Sequence, residues 1–131
     1  MEYVESYKEL EVYKLAKSLS KEIFELSKQF PKEEMYSLTD QIRRSSRSVG
    51  GQIAEAWGKR KYERHFVSKL TDADGEQLET QHWIDTAHDC LYVSGDACAG
   101  LLERYQIVGR MLSSMIRKAS SFCKKQSKQE K

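Results

Sequence analysis

Four runs of apolar residues, spaced three and four positions apart and separated by three short breaks, constrain the fold of this chain most strongly. This spacing places apolar side chains on one face of an α-helix, so each run predicts an amphipathic helix. The only proline of the chain, Pro31, ends the first run. The predicted helices span residues 7–30, 38–58, 62–92 and 96–123. Because the connections are short, the sequence predicts an all-α fold, an antiparallel up-down-up-down four-helix bundle formed by residues 1–131 as one domain.

Particular residues are typical of helix ends. Ser6-Tyr7-Lys8-Glu9 has the S-x-x-E form of a capping box, which predicts that the first helix begins there. Ser37 is predicted to cap the second helix, and Gly58 to end it in a left-handed conformation. Because Gly50 and Gly51 interrupt the second run, we expect either a kink or the close approach of another backbone at this point.

Composition narrows the class of protein. A length of 131 residues with 39% hydrophobic content suits one globular domain. No apolar stretch approaches the roughly 20 residues that a membrane-spanning helix needs, and the first residues lack the pattern of a signal peptide. We therefore expect a cytoplasmic protein with reduced cysteines and no membrane contact. Residues 124–131 lose the apolar period, which predicts a frayed basic tail.

The formal net charge of +2 conceals blocks of opposite sign. The segment 41–64 contains seven basic residues: Arg43, Arg44, Arg47, Lys59, Arg60, Lys61 and Arg64. The segment 71–96 contains seven acidic residues and no Lys or Arg: Asp72, Asp74, Glu76, Glu79, Asp85, Asp89 and Asp96. Three explanations are open. The two sets neutralise each other within one bundle, they join two copies into an oligomer, or the basic set binds RNA or DNA phosphates.

The seven basic residues are the candidate nucleic-acid-binding residues of the sequence. The strongest segment is Lys59–Phe66, because bases could stack on Tyr62 or Phe66 while the neighbouring cations hold phosphate. A sequence pI of about 8.4 gives this hypothesis only modest support, since dedicated nucleic-acid domains are more basic.

Catalytic and metal motifs are not convincing in this sequence. Glu79 and His82 match the E-x-x-H motif of di-iron bundles, but such a centre needs a second motif on another helix. The near-match formed by Asp85 and His88 lies on the same predicted helix. Cys90 is too close to His88 in sequence to face it as a nucleophile faces its base. The sequence therefore predicts a protein that is not an enzyme and holds no metal or cofactor.

The most specific motif of the chain is Gln41-Ile42-Arg43-Arg44, followed nine residues later by Ile53-Ala54-Glu55. With it come Leu10–Ala16, Phe30–Glu34, Ala56–Arg60, Phe66–Leu70 and Glu76–Gln81. Together these segments resemble the 23S rRNA intervening-sequence protein family, small bacterial four-helix bundles without an established biochemical activity. Gly50-Gly51-Gln52 stands where the family usually has a proline, a small residue and Asn, and Ala56 stands where it usually has Gly.

The resemblance also implies an assembly, because members of this family look like cyclic pentamers. A similar protein, the accessory variability determinant of diversity-generating retroelements, is a basic pentameric barrel that works with a reverse transcriptase and its RNA. Two functions follow as hypotheses. The first is a non-enzymatic homo-oligomeric scaffold, a pentamer by resemblance. The second is an RNA- or DNA-binding accessory module that uses the basic surface.

Overall fold

The computed structural model describes residues 4–123, which form a bundle of four long α-helices. The helices are α1 (Glu11–Ser27), α2 (Leu38–Gly58), α3 (Glu63–Asp89) and α4 (Gly95–Arg117), followed by the single turn α5 (Ala119–Phe122). Each long helix packs on the next in sequence, and α1 also contacts α4, which closes the bundle. The predicted all-α four-helix bundle is therefore confirmed. The predicted tail, 124–131, lies outside the described residues.

None of the helices within residues 4–123 is both long enough and apolar enough to cross a bilayer.

The core is a continuous apolar cluster to which each long helix contributes one stripe. On α2 the predicted stripe is buried in full: Leu38, Ile42, Ser46, Val49, Ile53 and Trp57. The first predicted run is Leu15, Leu19, Ile23, Leu26 and Phe30, of which Leu19, Ile23 and Phe30 are buried. Leu15 and Leu26 are half-buried, and their small neighbours Ala16 and Ser27 are buried instead. Small side chains at these contact positions let helices approach closely, and a search for large apolar residues overlooks them.

The third predicted run extends from Phe66 to Leu91, and two of its leucines point outward instead. Leu78 is 55% exposed and Leu91 is 89% exposed. The core positions near Leu78 are taken by Gln77 and Thr80, which are 3% and 0% exposed. Thr80 Oγ1 lies 2.8 Å from Ser45 Oγ of α2 and 2.8 Å from the Glu76 carbonyl oxygen. Because the carbonyl can only accept, Thr80 donates to it and accepts from Ser45, so this buried hydroxyl is satisfied across the seam.

The first helix begins later than its capping motif predicts. Ser6 Oγ accepts a hydrogen bond from the Lys8 N–H, but it caps a single 3₁₀ turn, Tyr7–Glu9. Leu10 then has an extended backbone, and α1 starts at Glu11. The serine cap exists as predicted, and the start of the α-helix at residue 7 was wrong because the extended Leu10 separates the two elements.

The start of α2 is capped by a different side chain from the predicted one. Ser37 Oγ makes no capping bond and instead donates to Glu34 Oε1 at 2.6 Å. The same Glu34 oxygen accepts from the Leu38 N–H at 3.3 Å, and its other oxygen accepts from Tyr92 Oη at 2.9 Å. Glu34 therefore joins the α1–α2 connection to the α3–α4 connection.

No glycine in the described part of the chain has a positive φ, so the left-handed stop predicted at Gly58 was wrong. The left-handed residue is Leu91, with φ of 65°. After it the Tyr92 N–H donates to the Ala87 carbonyl, and the Leu91 N–H donates to the His88 carbonyl, each at 2.9 Å. These two bonds form a Schellman motif at the end of α3, in a conformation that costs a non-glycine residue about 1–2 kcal/mol.

The glycine pair does not interrupt α2, which remains helical from Leu38 to Gly58. A Cβ on Gly50 would lie 3.4 Å from Cε1 of Tyr13, so the close neighbour is an aromatic ring of α1 and no backbone. Gly51 has open space around its Cα.

Candidate functional site

The arginines of α2 lie around an aromatic ring of α1. The centroid of the half-buried Phe24 ring is 4.7 Å from Arg43 Cζ, 5.1 Å from Arg47 Cζ and 4.9 Å from Lys28 Nζ. Arg43 Nε also donates to Ser27 Oγ at 2.7 Å. Cation–π contacts of this kind hold guanidinium groups in place without neutralising them.

A cleft of about 280 Å³ between α1 and α2 continues this surface. Lys17 and Ser20 of α1 and Arg47, Gly50 and Gly51 of α2 contribute to its lining. We call the surface formed by Lys17, Lys28, Arg43 and Arg47 the basic face. Cations converge on it from two helices.

The turn between α2 and α3 carries the second group of predicted site residues. Arg60 lies over the Trp57 ring, with Cζ 3.6 Å from the ring centroid, and its Nε donates to the Trp57 carbonyl at 2.8 Å. Tyr62 is 52% exposed, and its ring centroid is 5.4 Å from that of His65. Phe66 is 0% exposed and stacks on Phe122 inside the bundle. Tyr62 is therefore accessible for base stacking, and the prediction that Phe66 could stack on a base was wrong.

The remaining cations of this turn are exposed to solvent. Arg64 lines two shallow cavities together with Glu63 and Ser68, and Lys61 lines one of them. Lys59 lies at the end of α2, and its backbone N–H donates to the Ala56 carbonyl. The structure thus separates six of the seven predicted residues into two groups, Arg43 and Arg47 on the α1–α2 surface and the other four at the α2–α3 turn: Lys59, Arg60, Lys61 and Arg64. Arg44 is exposed on α2 and lines none of the cavities named here.

Neutralisation within one bundle does not occur through ion pairs in residues 4–123. None of the seven predicted basic residues has a carboxylate oxygen within 4 Å there. The ion pair between α2 and α3 has the opposite polarity, because Lys69 of α3 lies 3.0 Å from Glu55 of α2. The first of the three explanations for the charge blocks therefore has no ion pair to support it in the described chain, and neutralisation between charges farther apart stays a prediction.

The acids of α3 form a face of their own. Asp72, Glu76 and Glu79 are spaced four and three positions apart, so they follow one side of the helix, and we call them the acidic face. Burial raises the pKa of Glu76, and the neighbouring Glu79 carboxylate raises it further. A hydrogen bond with Ser48 acts in the opposite direction. Lys69 Nζ lies 3.9 Å from Asp72, so repulsion within this set favours an incoming cation mainly at Glu76 and Glu79.

Metal-ligating groups do not gather in the part of the chain that the structure describes. No group of three or more His, Cys, Asp or Glu side chains lies close enough to hold an ion there. His82 packs edge-on against Trp83, with ring centroids 4.6 Å apart. Cys98 lies 3.9 Å from Asp85, and burial followed by the charge of Asp85 raises the pKa of its thiol.

Sequence reasoning missed the contribution of α1 to the basic face. Lys17 and Lys28 lie outside the basic block, and Phe24 follows the core residue Ile23, so it is easily taken for part of the core. The available signal was the position of Phe24 in the helix. It lies next to the buried Ile23 and before the buried Ser27, which places its ring at the edge of the core.

Comparison with known proteins gives the chain a family and a fold. No curated protein sequence matches it. A crystal structure of a protein with unknown function from the S23 ribosomal protein family of Bacteroides thetaiotaomicron VPI-5482 is similar, with a TM-score of 0.74. That match has 24% sequence identity and covers 81% of this chain and 95% of the other, so it supports the fold. The sequence model described as 23S rRNA-intervening sequence protein matches residues 8–114. This chain therefore belongs to the 23S rRNA-intervening sequence protein family.

Proposed function

We propose that this protein is a non-enzymatic scaffold that assembles as a homo-oligomer, with the basic face of one copy against the acidic face of the next. One observation carries the proposal: in the described chain, Arg43 and Arg47 on the basic face have no carboxylate within 4 Å, although α3 carries an acidic face on the same bundle. We place the scaffold in the cytoplasm, with its cysteines reduced.

Physical chemistry favours contact between these faces. Arginine presents a planar fork that binds carboxylates in a bidentate manner, and Arg43 and Arg47 are already oriented by the Phe24 ring. Burial and the neighbouring Glu79 raise the pKa of Glu76. An arginine from another copy would stabilise the ionised form of this carboxyl group. Complementary charges of this kind set the register and exclude wrong partners.

The two faces are unlike, so the interface is heterologous, and such interfaces generate closed rings when the rotation permits. The family resemblance implies five copies, and we propose a pentamer for this reason. Pairing of the two faces needs no catalytic group. We therefore propose that the protein acts through the outer surface of the ring.

Light scattering coupled to size exclusion, at low and at high salt, tests this assembly. Reversing the basic face with Arg43→Glu and Arg47→Glu should yield monomers, and so should reversing the acidic face with Asp72→Lys and Glu79→Lys. A chain that carries all four substitutions should assemble again, because complementarity is restored. Arg110→Glu with Arg117→Glu on α4 is the matched control, since it changes the net charge equally and should leave the assembly intact. A wild-type protein that is monomeric at micromolar concentration, whatever the salt, would contradict the proposal.

Nucleic-acid binding at the α2–α3 turn is the second candidate function. It is favoured by the exposed Tyr62 ring, which is flanked by Lys59, Lys61 and Arg64 without carboxylates within 4 Å in the described chain. Bases stack on exposed aromatic rings while cations hold the backbone, and this binding tolerates any sequence.

Fluorescence anisotropy with a labelled single-stranded RNA at about 50 mM salt tests the second candidate. Lys59→Ala, Lys61→Ala and Arg64→Ala together should weaken binding of all sequences alike and reduce the dependence on salt. Arg60 is left unchanged because it packs on Trp57. Undetectable binding by the wild-type protein would exclude this function.

A further inference from the structure

A groove between α3 and α4, on a side of the bundle that neither proposed interface uses, contains an unusual set of polar side chains. Its volume is about 620 Å³. Three glutamines, two arginines and a serine form its polar lining: Gln77, Gln81, Gln106, Arg110, Arg117 and Ser113.

A buried amide lies at the base of this groove. Gln77 is 3% exposed, and its Nε2 donates to Asp74 Oδ1 at 2.9 Å. Because a carboxylate can only accept, this bond sets which end of the amide faces Asp74. Gln81 Nε2 donates to Gln77 Oε1 at 2.7 Å, so a chain of hydrogen bonds runs from Asp74 through Gln77 to Gln81. Gln81 keeps its own oxygen and its second N–H for another partner.

The opposite helix is adapted to this amide. A Cβ on Gly109 would lie 2.8 Å from Gln77 Nε2, a separation that real contacts do not show. Glycine inside a helix costs about 1 kcal/mol relative to alanine, and a buried amide is less favourable than a leucine unless it is fully bonded. Gly109 and Gln77 are each unfavourable alone, but the glycine leaves the space that the buried amide occupies. Such a pair is expected where a buried polar group belongs to a functional site.

Positive charge enters the groove from α4. Gln106, Arg110, Ser113 and Arg117 are spaced four, three and four positions apart, so they follow one line of the helix. The arginines are about two turns apart with Ser113 between them. Neither Arg110 nor Arg117 has a carboxylate oxygen within 4 Å in the part of the chain that the structure describes.

We infer that this groove binds a nucleotide, with Arg110 and Arg117 on the phosphate and the amides of Gln81 and Gln106 on the edge of the base. Arginine binds phosphate through paired N–H donors, and Ser113 adds a hydroxyl between the two arginines. A glutamine amide presents a donor and an acceptor side by side, which matches the donor and acceptor of a base edge. A simple anion would use the arginines and leave the amides without a role.

Isothermal titration calorimetry with the four nucleoside 5′-monophosphates, the unphosphorylated nucleosides and inorganic phosphate tests this inference. We expect at least one monophosphate to bind in the range of about 1 mM or tighter, and both the nucleosides and inorganic phosphate to bind at least about tenfold more weakly. Arg110→Gln and Arg117→Gln should each weaken the monophosphate about tenfold, the loss expected for one charge-assisted contact. Lys21→Gln, which removes an exposed cation of α1 outside the groove, is the matched control and should leave the affinity unchanged.

The amides are tested separately from the cations. Gln106→Leu should reduce the affinity for the nucleotide toward that for inorganic phosphate without altering phosphate binding. Gln81→Leu should do the same, and the exposed position of Gln106 keeps the test valid if Gln81→Leu folds poorly. If inorganic phosphate binds as tightly as every nucleotide, or if both arginine variants bind like the wild type, the inference is wrong. The absence of any binding at about 1 mM nucleotide would also overturn it.

Titration with a single-stranded oligoribonucleotide shows whether the groove binds free nucleotides or the nucleotides of an RNA strand. Loss of oligonucleotide binding in Arg110→Gln and Arg117→Gln would identify a nucleic acid as the source, and binding of monophosphates alone would identify free nucleotides. Light scattering of the same samples shows whether the variants still assemble. Because the proposed ring uses other faces, Arg110→Gln and Arg117→Gln should change nucleotide binding without changing the assembly.

Discussion

α2 and α3 pack against each other along most of their length, but they contribute to the core in different ways. α2 buries its apolar stripe in full and places its arginines on the surface. α3 exposes Leu78 and buries Gln77 and Thr80, and Leu91 just after its end is also exposed. A helix with a regular apolar stripe therefore specifies the bundle, whereas a helix that places polar residues in the core marks a candidate site.

The largest expected effect comes from removing a core side chain of α2. Ile53 is fully buried, so Ile53→Ala should lower the free energy of unfolding by about 2–5 kcal/mol. Leu78→Ala on α3 is the matched control, because Leu78 is exposed and its truncation should change stability by about 0.5 kcal/mol or less. Urea denaturation followed by circular dichroism measures both. Equal losses would mean that the two helices do not differ in this way.

The next effect concerns the polar contact between the two helices. Thr80→Val keeps the shape of the side chain but leaves Ser45 Oγ without its hydrogen-bond partner across a buried seam. We expect a loss of about 1–2 kcal/mol, since an unsatisfied buried group costs about this much. The double variant Thr80→Val with Ser45→Ala should recover part of the loss in denaturation experiments. A double variant less stable than the single one would show that the hydrogen bond is not the cause.

A smaller effect of opposite sign is expected at the end of α3. Leu91 has a left-handed backbone and an exposed side chain, so glycine is better suited to the position. Leu91→Gly should raise the free energy of unfolding by about 1 kcal/mol, measured as an increase in the urea midpoint. Leu91→Ala, which keeps the strain, should show no such increase. A destabilised Leu91→Gly protein would indicate that the leucine side chain makes contacts in an assembly.

The smallest effects are two opposite dependences on pH. The pKa of Glu76 in α3 is raised above its ordinary value of 4.5, by burial and then by Glu79. The folded state therefore binds this proton more tightly, and the associated stability is present below pH 4.5 and lost as the pH rises through the raised value. Glu76→Gln should accordingly stabilise the protein at pH 7, and the gain should disappear below pH 4.5.

Glu34, just before α2, should behave in the reverse sense. Hydrogen bonds from Ser37 and then Tyr92 lower its pKa below 4.5. Its stabilising contribution is therefore present above pH 4.5 and is lost as the pH falls through the lowered value. Glu34→Gln should destabilise the protein at pH 7 and make less difference in acid. Urea denaturation of both variants across this range checks the pair, and slopes of the same sign would contradict these assignments.

Local patterns predicted much of the fold and part of the charged surfaces. The apolar stripes of α2 and α4 are as expected, because periodicity alone places Ile42 or Leu112 on the inner face. Turn chemistry was less predictable, since the cap of α2 comes from Glu34 and the left-handed residue is Leu91, and both depend on neighbours distant in sequence. The sequence identified the seven basic residues as a set, but it did not predict that the Phe24 ring would contact Arg43 and Arg47.

The amino-acid sequence was sufficient for the number of helices, their approximate bounds and the separation of charge along the chain, because these follow from spacing within single segments. The pairing of helices determined the rest. Contact with α4 at Gly109 accommodates the buried Gln77 amide, and contact with α1 gathers Arg43 and Arg47 around Phe24. The reason is physical: a side chain is buried, bonded or unpaired only relative to the helix opposite, and a periodic pattern within one helix carries no information about that neighbour.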